Sequence, residues 1–248
     1  MKPCRCCGAE RKLIKAHAIP EAFFRELRDE DGGVPKLLSS RPGSFPKRAL
    51  IGVYDEEILC DACESRFGSV DSYGIDVLLK EFAKYFSPFM SGCKAVAQVS
   101  MEADKNRILQ FLIAVLWRAS VSTHSFYSKV NLGPHGSPAL AAALGSSCGI
   151  STIFDAVLSR WEDTAESTPT TAFLDPAPER WNGVNAYRLY LGRIVAYVKV
   201  DARPFPVGLR HSSLVHAPAL VIVERNMEKS KDLRAMRRTA AANAPRTK

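Results

Sequence analysis

Two Cys-x-x-Cys pairs constrain the fold of this 248-residue chain more than any other feature. They are Cys4/Cys7 and Cys60/Cys63. A gap of two residues lets both sulfurs of a pair reach one ion, and zinc takes four soft ligands in a tetrahedral arrangement. The two pairs therefore predict one structural zinc site that ties the start of the chain to residues 60–63. A disulfide framework is the alternative, and it is typical of secreted chains.

The remaining cysteines and the apolar pattern favour a cytoplasmic protein with reduced thiols. Seven cysteines is an odd count, and Cys6, Cys93 and Cys148 lie outside the two pairs. The first residues contain no apolar stretch of the kind that signal peptides carry. The longest apolar run, residues 108–117, contains Gln110 and is too short to cross a bilayer. We therefore expect a buried core helix there, and no membrane association.

Positive charge is concentrated at the end of the sequence. The formal net charge is +8, and residues 227–248 contain seven basic residues against two acidic ones. This segment is also rich in Ala, Thr and Asn, which predicts a flexible basic tail. Such a tail either contacts phosphate groups non-specifically or only keeps the protein in solution.

The order of elements predicts three parts. Residues 1–79 are predicted to form a zinc-binding module, with a helix over 20–29, a loop over 33–48, a hairpin arm over 49–59 and a helix over 64–79. Residues 80–226 are predicted to form a second domain, and residues 227–248 the tail. In the second domain, helical spacing of apolar residues predicts helices over 102–130, 138–144 and 152–161, and alternation predicts strands over 187–192, 194–200 and 219–223.

These elements predict an α+β protein. Its second domain is expected to be mainly helical, with only a small late β-hairpin or sheet. With 46% hydrophobic residues the chain has enough apolar side chains for a sizeable core.

Two short motifs accompany the cysteine pairs. The segment between the pairs contains Ala16-His17-Ala18-Ile19-Pro20. The second pair is part of the segment Asp55-Glu56-Glu57-Ile58-Leu59-Cys60-Asp61-Ala62-Cys63-Glu64. In this order the motifs resemble the HNH endonuclease family, whose modules have a treble-clef, ββα-metal fold. The sequence is also similar to bacterial proteins that combine a Ser-His-Ile-Ile-Pro element, a Leu-Cys-x-x-Cys-Glu element and a Trp-Arg helix, the last matching Trp117-Arg118.

The resemblance implies roles for three residues outside the cysteines. His17 would be the general base that activates water, and Glu64 would help to hold a catalytic Mg²⁺ or Mn²⁺. Asp55 takes the place of an asparagine that braces the loop, so it would brace or bind the cation. The family's other metal ligand is replaced by Ala16, whose methyl group binds nothing.

Each of these residues also has a structural interpretation. His17 would be a packed, hydrogen-bonded side chain, or a zinc ligand in place of a cysteine. Glu64 would be a carboxylate favoured by the positive end of a helix, and Asp55 part of a solvated turn.

Arg118 on the long helix would pair with a buried acid. Trp161, Trp181 and the late tyrosines would stack nucleic-acid bases or pack across strands.

We therefore predict a divergent HNH-like zinc protein that acts on nucleic acid as a metal-dependent endonuclease, with DNA as the expected partner and phage defence as the setting that the resemblance implies. The rival interpretation is a catalytically degenerate module that binds nucleic acid without cleaving it. A third is a module that binds another protein. Residues 80–226 would then recognise the target or form a homodimer or protein interface.

Overall fold

The structure is a computed structural model, and it describes residues 2–27, 36–39, 47–48, 51–146, 150–162 and 172–243. The expected loop over 33–48 lies partly outside these residues, as do Cys148 and the last five residues of the expected tail.

Twelve strands lie in the described part of the chain. They are β1 (Leu13–His17), β2 (Lys36–Leu38), β3 (Lys47–Arg48), β4 (Tyr54–Cys60), β5 (Ser87–Ser91), β6 (Lys94–Ser100), β7 (Phe154–Trp161), β8 (Ala172–Leu174), β9 (Ala177–Trp181), β10 (Val184–Leu191), β11 (Ile194–Val200) and β12 (Leu220–Arg225).

The helices within the same residues are α1 (Glu21–Glu26), α2 (Asp61–Ile75), α3 (Phe82–Tyr85), α4 (Lys105–Val121), α5 (Gly136–Ala143), α6 (Ile150–Ile153) and α7 (Lys231–Ala242). A π-helical turn, Asp76–Lys80, continues α2. Of the helices described, none is both long enough and apolar enough to traverse a bilayer.

The N-terminal part is built on a two-stranded hairpin and a helix. Strands β1 and β4 pair antiparallel, with Leu13 opposite Cys60 and His17 opposite Tyr54. Helix α2 begins at the residue after β4 ends. The segment between the strands contains α1 and the short strands β2 and β3. Strand β2 also pairs in parallel with β8, so this insertion forms a three-stranded sheet with residues from late in the chain.

A seven-stranded sheet dominates the rest of the molecule, in the order β5-β6-β12-β7-β11-β10-β9. All neighbours are antiparallel except β12 and β7, which are parallel. The expectation of an α+β protein with a mainly helical second domain is therefore wrong. The architecture is mixed α/β, with helices packed around this sheet.

The error came chiefly from residues 152–161, which form strand β7 from Phe154 onward. Phe154, Val157, Leu158 and Trp161 recur at the spacing of one helix face, which predicted a helix. The strand lies in the middle of the sheet and most of its residues are buried, so it lacks the alternation that marks a half-exposed strand. The hairpin β5–β6 was also missed. The predicted pair β10–β11 and strand β12 are confirmed.

Helix α4 joins the N-terminal hairpin and helix to the sheet. Most of its residues from Ile108 to Ala119 are buried, as expected for a core helix, and it contacts α2, α5, β7 and β11. A Cβ atom on Gly74 of α2 would lie 2.5 Å from the ring of Phe111, so glycine permits the close approach of α2 to α4. The Phe67 and Trp117 rings stack at 5.7 Å between centroids.

A buried ion pair also links these two helices. Arg118 of α4 donates through two nitrogens to the two carboxylate oxygens of Asp71 in α2, each at 2.6 Å. The Arg118 side chain is 1% exposed and that of Asp71 17%. The expectation that Arg118 pairs with an acid is thus confirmed, although Asp71 is only half-buried.

Helix α7 occupies residues for which a flexible tail was expected. Ser230 caps its first turn by accepting a hydrogen bond from the Leu233 N–H at 3.0 Å. The division of the chain at residues 79/80 and 226/227 stays a prediction.

We expect Asp71→Ala to lower the free energy of unfolding by about 3–5 kcal/mol, because it removes the carboxylate that is hydrogen-bonded to the buried Arg118 guanidinium. Urea denaturation measures this. Glu81→Ala is a matched control that removes an exposed carboxylate paired with Lys84, and should cost less than about 1 kcal/mol. Equal effects of the two substitutions would contradict the account of the buried pair.

Candidate metal and catalytic site

The four cysteines of the two Cys-x-x-Cys pairs come together. The Sγ atoms of Cys4, Cys7, Cys60 and Cys63 all lie within 4.8 Å of one another. In a tetrahedral site with zinc–sulfur bonds of about 2.3 Å, the sulfurs would be roughly 3.8 Å apart. All four are free thiols, which argues against the disulfide alternative for these residues. The cluster can hold one metal ion.

The backbone around Cys4 shapes the first half of the cluster. The Cys4 N–H donates to the Ala9 carbonyl at 3.0 Å, and the Gly8 N–H donates to the Cys4 carbonyl at 2.8 Å. Gly8 has φ of +73°, a conformation that favours glycine. The Arg5 N–H donates to the Ile58 carbonyl at 2.8 Å, so this turn is attached to β4.

The second half of the cluster lies at the junction of a strand and a helix. Cys60 is the last residue of β4 and the N-cap of α2, and Cys63 lies in the first turn of α2. The predicted hairpin arm over 49–59 and the predicted helix over 64–79 meet at this junction. The Cys60 N–H also donates to the Cys4 sulfur at 3.4 Å, which connects the two halves directly.

The protonation of the cluster suits a cation. Burial opposes ionisation of Cys4, but hydrogen bonds from the backbone at Cys7, Cys60 and Cys6 lower the pKa of its thiol to about 6. Burial and the neighbouring sulfurs raise the pKa of the Cys63 thiol. A bound metal ion would displace the thiol protons and compensate the charge of the resulting thiolates.

Cys6 lies next to the cluster and outside it. Its sulfur is 3.9 Å from a guanidinium nitrogen of Arg66, and burial raises the pKa of its thiol. Cys93 is an exposed free thiol in the turn between β5 and β6.

His17 lies at the end of β1, half-buried, with its ring oriented by the backbone. Its Nε2 atom is 3.0 Å from the Ile51 carbonyl oxygen. A carbonyl only accepts hydrogen bonds, so Nε2 carries the proton and Nδ1 keeps a free lone pair. Burial lowers the pKa of His17 below its ordinary value of 6.5, so the ring is neutral near pH 7. A neutral imidazole with a free Nδ1 can take up a proton.

Glu64 lies in the first turn of α2, one residue after the last cysteine. Its Oε2 atom is buried and has no hydrogen-bond partner. Burial raises the pKa of this carboxyl, Arg118 opposes the shift, and Asp71 adds to it. A buried carboxylate oxygen without a donor is available to a cation or to a ligand proton.

His17 and Glu64 share one electrostatic environment. Both interact with the charges of Arg118 and Asp71. The structure therefore brings these two predicted residues into one region, around a buried ion pair that includes an acid the sequence analysis did not identify. Asp71 stands seven residues after Glu64, on the same face of α2, and this spacing is the signal that could have revealed it.

Asp55 has a structural role in the described residues. Its Oδ2 atom accepts hydrogen bonds from the Ser122 hydroxyl at 2.7 Å, from the Thr123 N–H at 2.6 Å and from the His124 N–H at 3.2 Å. Burial alone would raise the pKa of Asp55, but these donors and the Glu57 N–H lower it. Asp55 thus braces the turn after α4. It lies in β4 and is 6% exposed, so the expectation of a solvated turn is wrong for this residue.

The position of the family's other metal ligand offers no donor atom. Ala16 is fully buried and pairs across the hairpin with Asp55. Among the described residues near His17, Glu64 is thus the only predicted cation ligand with an oxygen free of hydrogen bonds.

The late aromatic residues pack against the protein itself. The Trp181 ring lies 5.3 Å from that of Tyr197, and the Tyr190 hydroxyl donates to Asp232 at 2.6 Å. Tyr187 is bonded to the backbone of Asn131. Packing across strands, the alternative to base stacking, accounts for these contacts.

Comparisons with protein-family models, with curated proteins and with solved structures find no match for this chain.

Metal analysis of the purified protein should find about one ion per chain, bound by the four clustered thiols. We expect Cys60→Ser to remove most of the bound metal and to increase proteolysis of residues 1–79, because small modules of this kind draw folding energy from the metal. Cys6→Ser is the matched control and should retain the ion, since Cys6 lies outside the cluster. Metal loss in Cys6→Ser with retention in Cys60→Ser would contradict the assignment.

Proposed function

We propose that this protein is an HNH-like nucleic-acid hydrolase stabilised by zinc, in which His17 is the general base. One observation carries the proposal. Strands β1 and β4 and helix α2 form a ββα unit whose ends are joined by the four-cysteine cluster, and this unit holds His17 with its Nδ1 atom free. The order of these elements is the one that the sequence resemblance implies.

Zinc is the metal that suits the cluster best. Four thiolates in a closed, tetrahedral arrangement are typical of structural zinc sites, and such a site leaves no open position for substrate. The cluster would therefore supply folding energy and not chemistry. Four reduced cysteines also favour the cytoplasm as the compartment.

His17 would remove a proton from the water molecule whose oxygen bonds to the phosphorus. One ester P–O bond of the phosphodiester would break in return, and the leaving alkoxide would take a proton from solvent. The Ile51 carbonyl fixes the ring so that Nδ1 is the accepting atom. The lowered pKa keeps the imidazole unprotonated at neutral pH, as a general base requires.

The residues present do not form a complete site for Mg²⁺ or Mn²⁺. Glu64 offers one free oxygen, Asp55 is used by the turn after α4, and Ala16 offers no ligand. Mg²⁺ usually binds one or two carboxylates together with substrate phosphates and water. We assign no step to such a cation.

That incomplete site favours a second candidate function, a module that binds nucleic acid without cleaving it. In this case the zinc cluster and hairpin would be retained as a scaffold for a surface that binds nucleic acid. The cleavage assay below separates the two functions.

Incubation with plasmid and single-stranded DNA in the presence of Mg²⁺ or Mn²⁺ should give cleavage. We expect His17→Ala to lower the rate by about 10²–10⁴-fold, the usual contribution of a general base. The control is His211→Ala, which removes an exposed histidine from another part of the chain and should leave the rate unchanged. Absence of cleavage with retained DNA binding would favour the second candidate.

Cleavage should depend on pH through His17. Only the neutral ring accepts a proton, so kcat/KM should rise with pH and level off once His17 is deprotonated. Because burial lowers the pKa of His17, the midpoint of this rise should lie below 6.5. A midpoint above pH 7 would be inconsistent with His17 in its observed environment acting as the base.

A further inference from the structure

Helix α7 is fixed to the sheet by a buried carboxylate. Asp232, in its first turn, is 1% exposed. Its Oδ1 atom accepts hydrogen bonds from Arg188 at 2.8 Å and from the Tyr190 hydroxyl at 2.6 Å, and its Oδ2 atom accepts one from Arg225 at 2.5 Å. These donors come from β10 and β12, so the first turn of α7 is attached to two strands of the seven-stranded sheet.

The far end of the helix is also attached. The Asn243 side chain, just past the last turn, donates to the Ser39 carbonyl at 3.1 Å, next to β2. Met236 in the middle of the helix is buried. Helix α7 is therefore anchored at its first turn, its centre and its end, and the side chains on its outer face project from a fixed backbone.

That outer face is strongly basic. Four exposed residues line a surface cavity of about 540 Å³: Lys231, Arg234, Arg237 and Arg238. Within the part of the chain that the structure describes, none of the four forms an ion pair. The only acid in α7 is Asp232, and its charge is compensated by Arg188 and Arg225. Four positive charges thus remain without a counter-ion on two turns of helix.

The spacing of these charges suits a row of phosphates. From Lys231 to Arg238 the helix rises by about 10 Å, which corresponds to about three steps of 3.4 Å along a duplex axis, and three steps join four successive phosphates of one strand. The apolar side chains of this segment, Leu233 and Met236, face the protein, so the basic face carries no large apolar group that could enter a bilayer. Guanidinium groups also bind phosphate oxygens through two parallel hydrogen bonds.

We propose that the outer face of α7 binds the phosphate backbone of double-stranded DNA. This inference rests on the proposed action on nucleic acid, and adds the surface that holds the duplex. Contacts of this kind carry no sequence information, so the surface would give affinity and would leave sequence preference to other parts of the protein.

The test measures how salt weakens DNA binding. The full-length protein in its metal-bound form is titrated against a fluorescein-labelled 20-base-pair duplex, and anisotropy is recorded from 50 to 200 mM KCl. No divalent cation is added, so binding is measured without cleavage. The variant replaces the four basic residues of α7 with glutamine. Each phosphate contact contributes about −0.9 to the slope of log Kobs against log salt.

We expect the slope of the variant to be shallower than that of the wild type by about 3–4, with weaker binding at 50 mM KCl. All four side chains are exposed and the Asp232 contacts are untouched, so thermal unfolding should be unchanged. If the fourfold variant is destabilised, Arg234→Gln with Arg238→Gln is the second variant, and its slope should become shallower by about 2.

A control variant separates this surface from net charge. It replaces four exposed basic residues on other elements with glutamine: Lys80, Lys84, Arg180 and Arg210. Its net charge equals that of the α7 variant, and its slope should change by less than about 1 if these residues contact no phosphates.

Similar changes in both variants, or an unchanged slope in the α7 variant, would overturn the inference and leave the proposed hydrolase intact. Binding to anionic phospholipid vesicles in place of the duplex would also overturn it. If the wild type binds no DNA at all, both this inference and the proposed function are wrong. If the slope changes as expected but the nuclease assay finds no cleavage, the inference about α7 is supported and the non-cleaving function is favoured.

Discussion

The convergence of four cysteine sulfurs is the contact on which the N-terminal architecture depends. It joins the turn at Cys4 to the junction between β4 and α2, with all four sulfurs within 4.8 Å of one another. The hairpin of β1 and β4 has only two strands, and two-stranded hairpins alone are marginally stable in water. A metal ion bound by these sulfurs would fix the start of α2 against the hairpin, and with it the relative positions of His17 and Glu64.

Two polar contacts extend this arrangement to the core. Asp55 of β4 holds the turn after α4, and Asp71 of α2 holds Arg118 within α4. Both contacts involve buried charged groups, whose loss costs more than that of surface pairs. Helix α4 therefore connects the N-terminal unit to the seven-stranded sheet. The residues next to His17 are part of the core packing. This explains why Asp55, attractive from sequence as a cation ligand, is a brace in the structure.

The sequence predicted the local parts of the site and missed much of the sheet. Ligand spacing within each Cys-x-x-Cys pair is a local property, so each half of the cluster was predictable, and zinc's need for four ligands predicted that the two halves would meet. Partners distant in sequence, such as Asp71 for Arg118, follow from tertiary packing that spacing alone does not determine. Strand β7 was misread because burial on both faces removes the alternation of apolar and polar residues. Composition predicted a flexible tail for the basic segment near the end. Composition does not show that Asp232 forms contacts with the sheet that fix this segment as a helix.

The most direct test of the account is X-ray absorption spectroscopy at the zinc edge of the full-length protein. Four sulfur atoms at about 2.3 Å, with no nitrogen or oxygen neighbour, are predicted, since the cluster is built from cysteines alone and His17 is left free. A histidine nitrogen at about 2.0–2.1 Å that disappears in His17→Ala would contradict the account, because His17 would then be a zinc ligand and not a base.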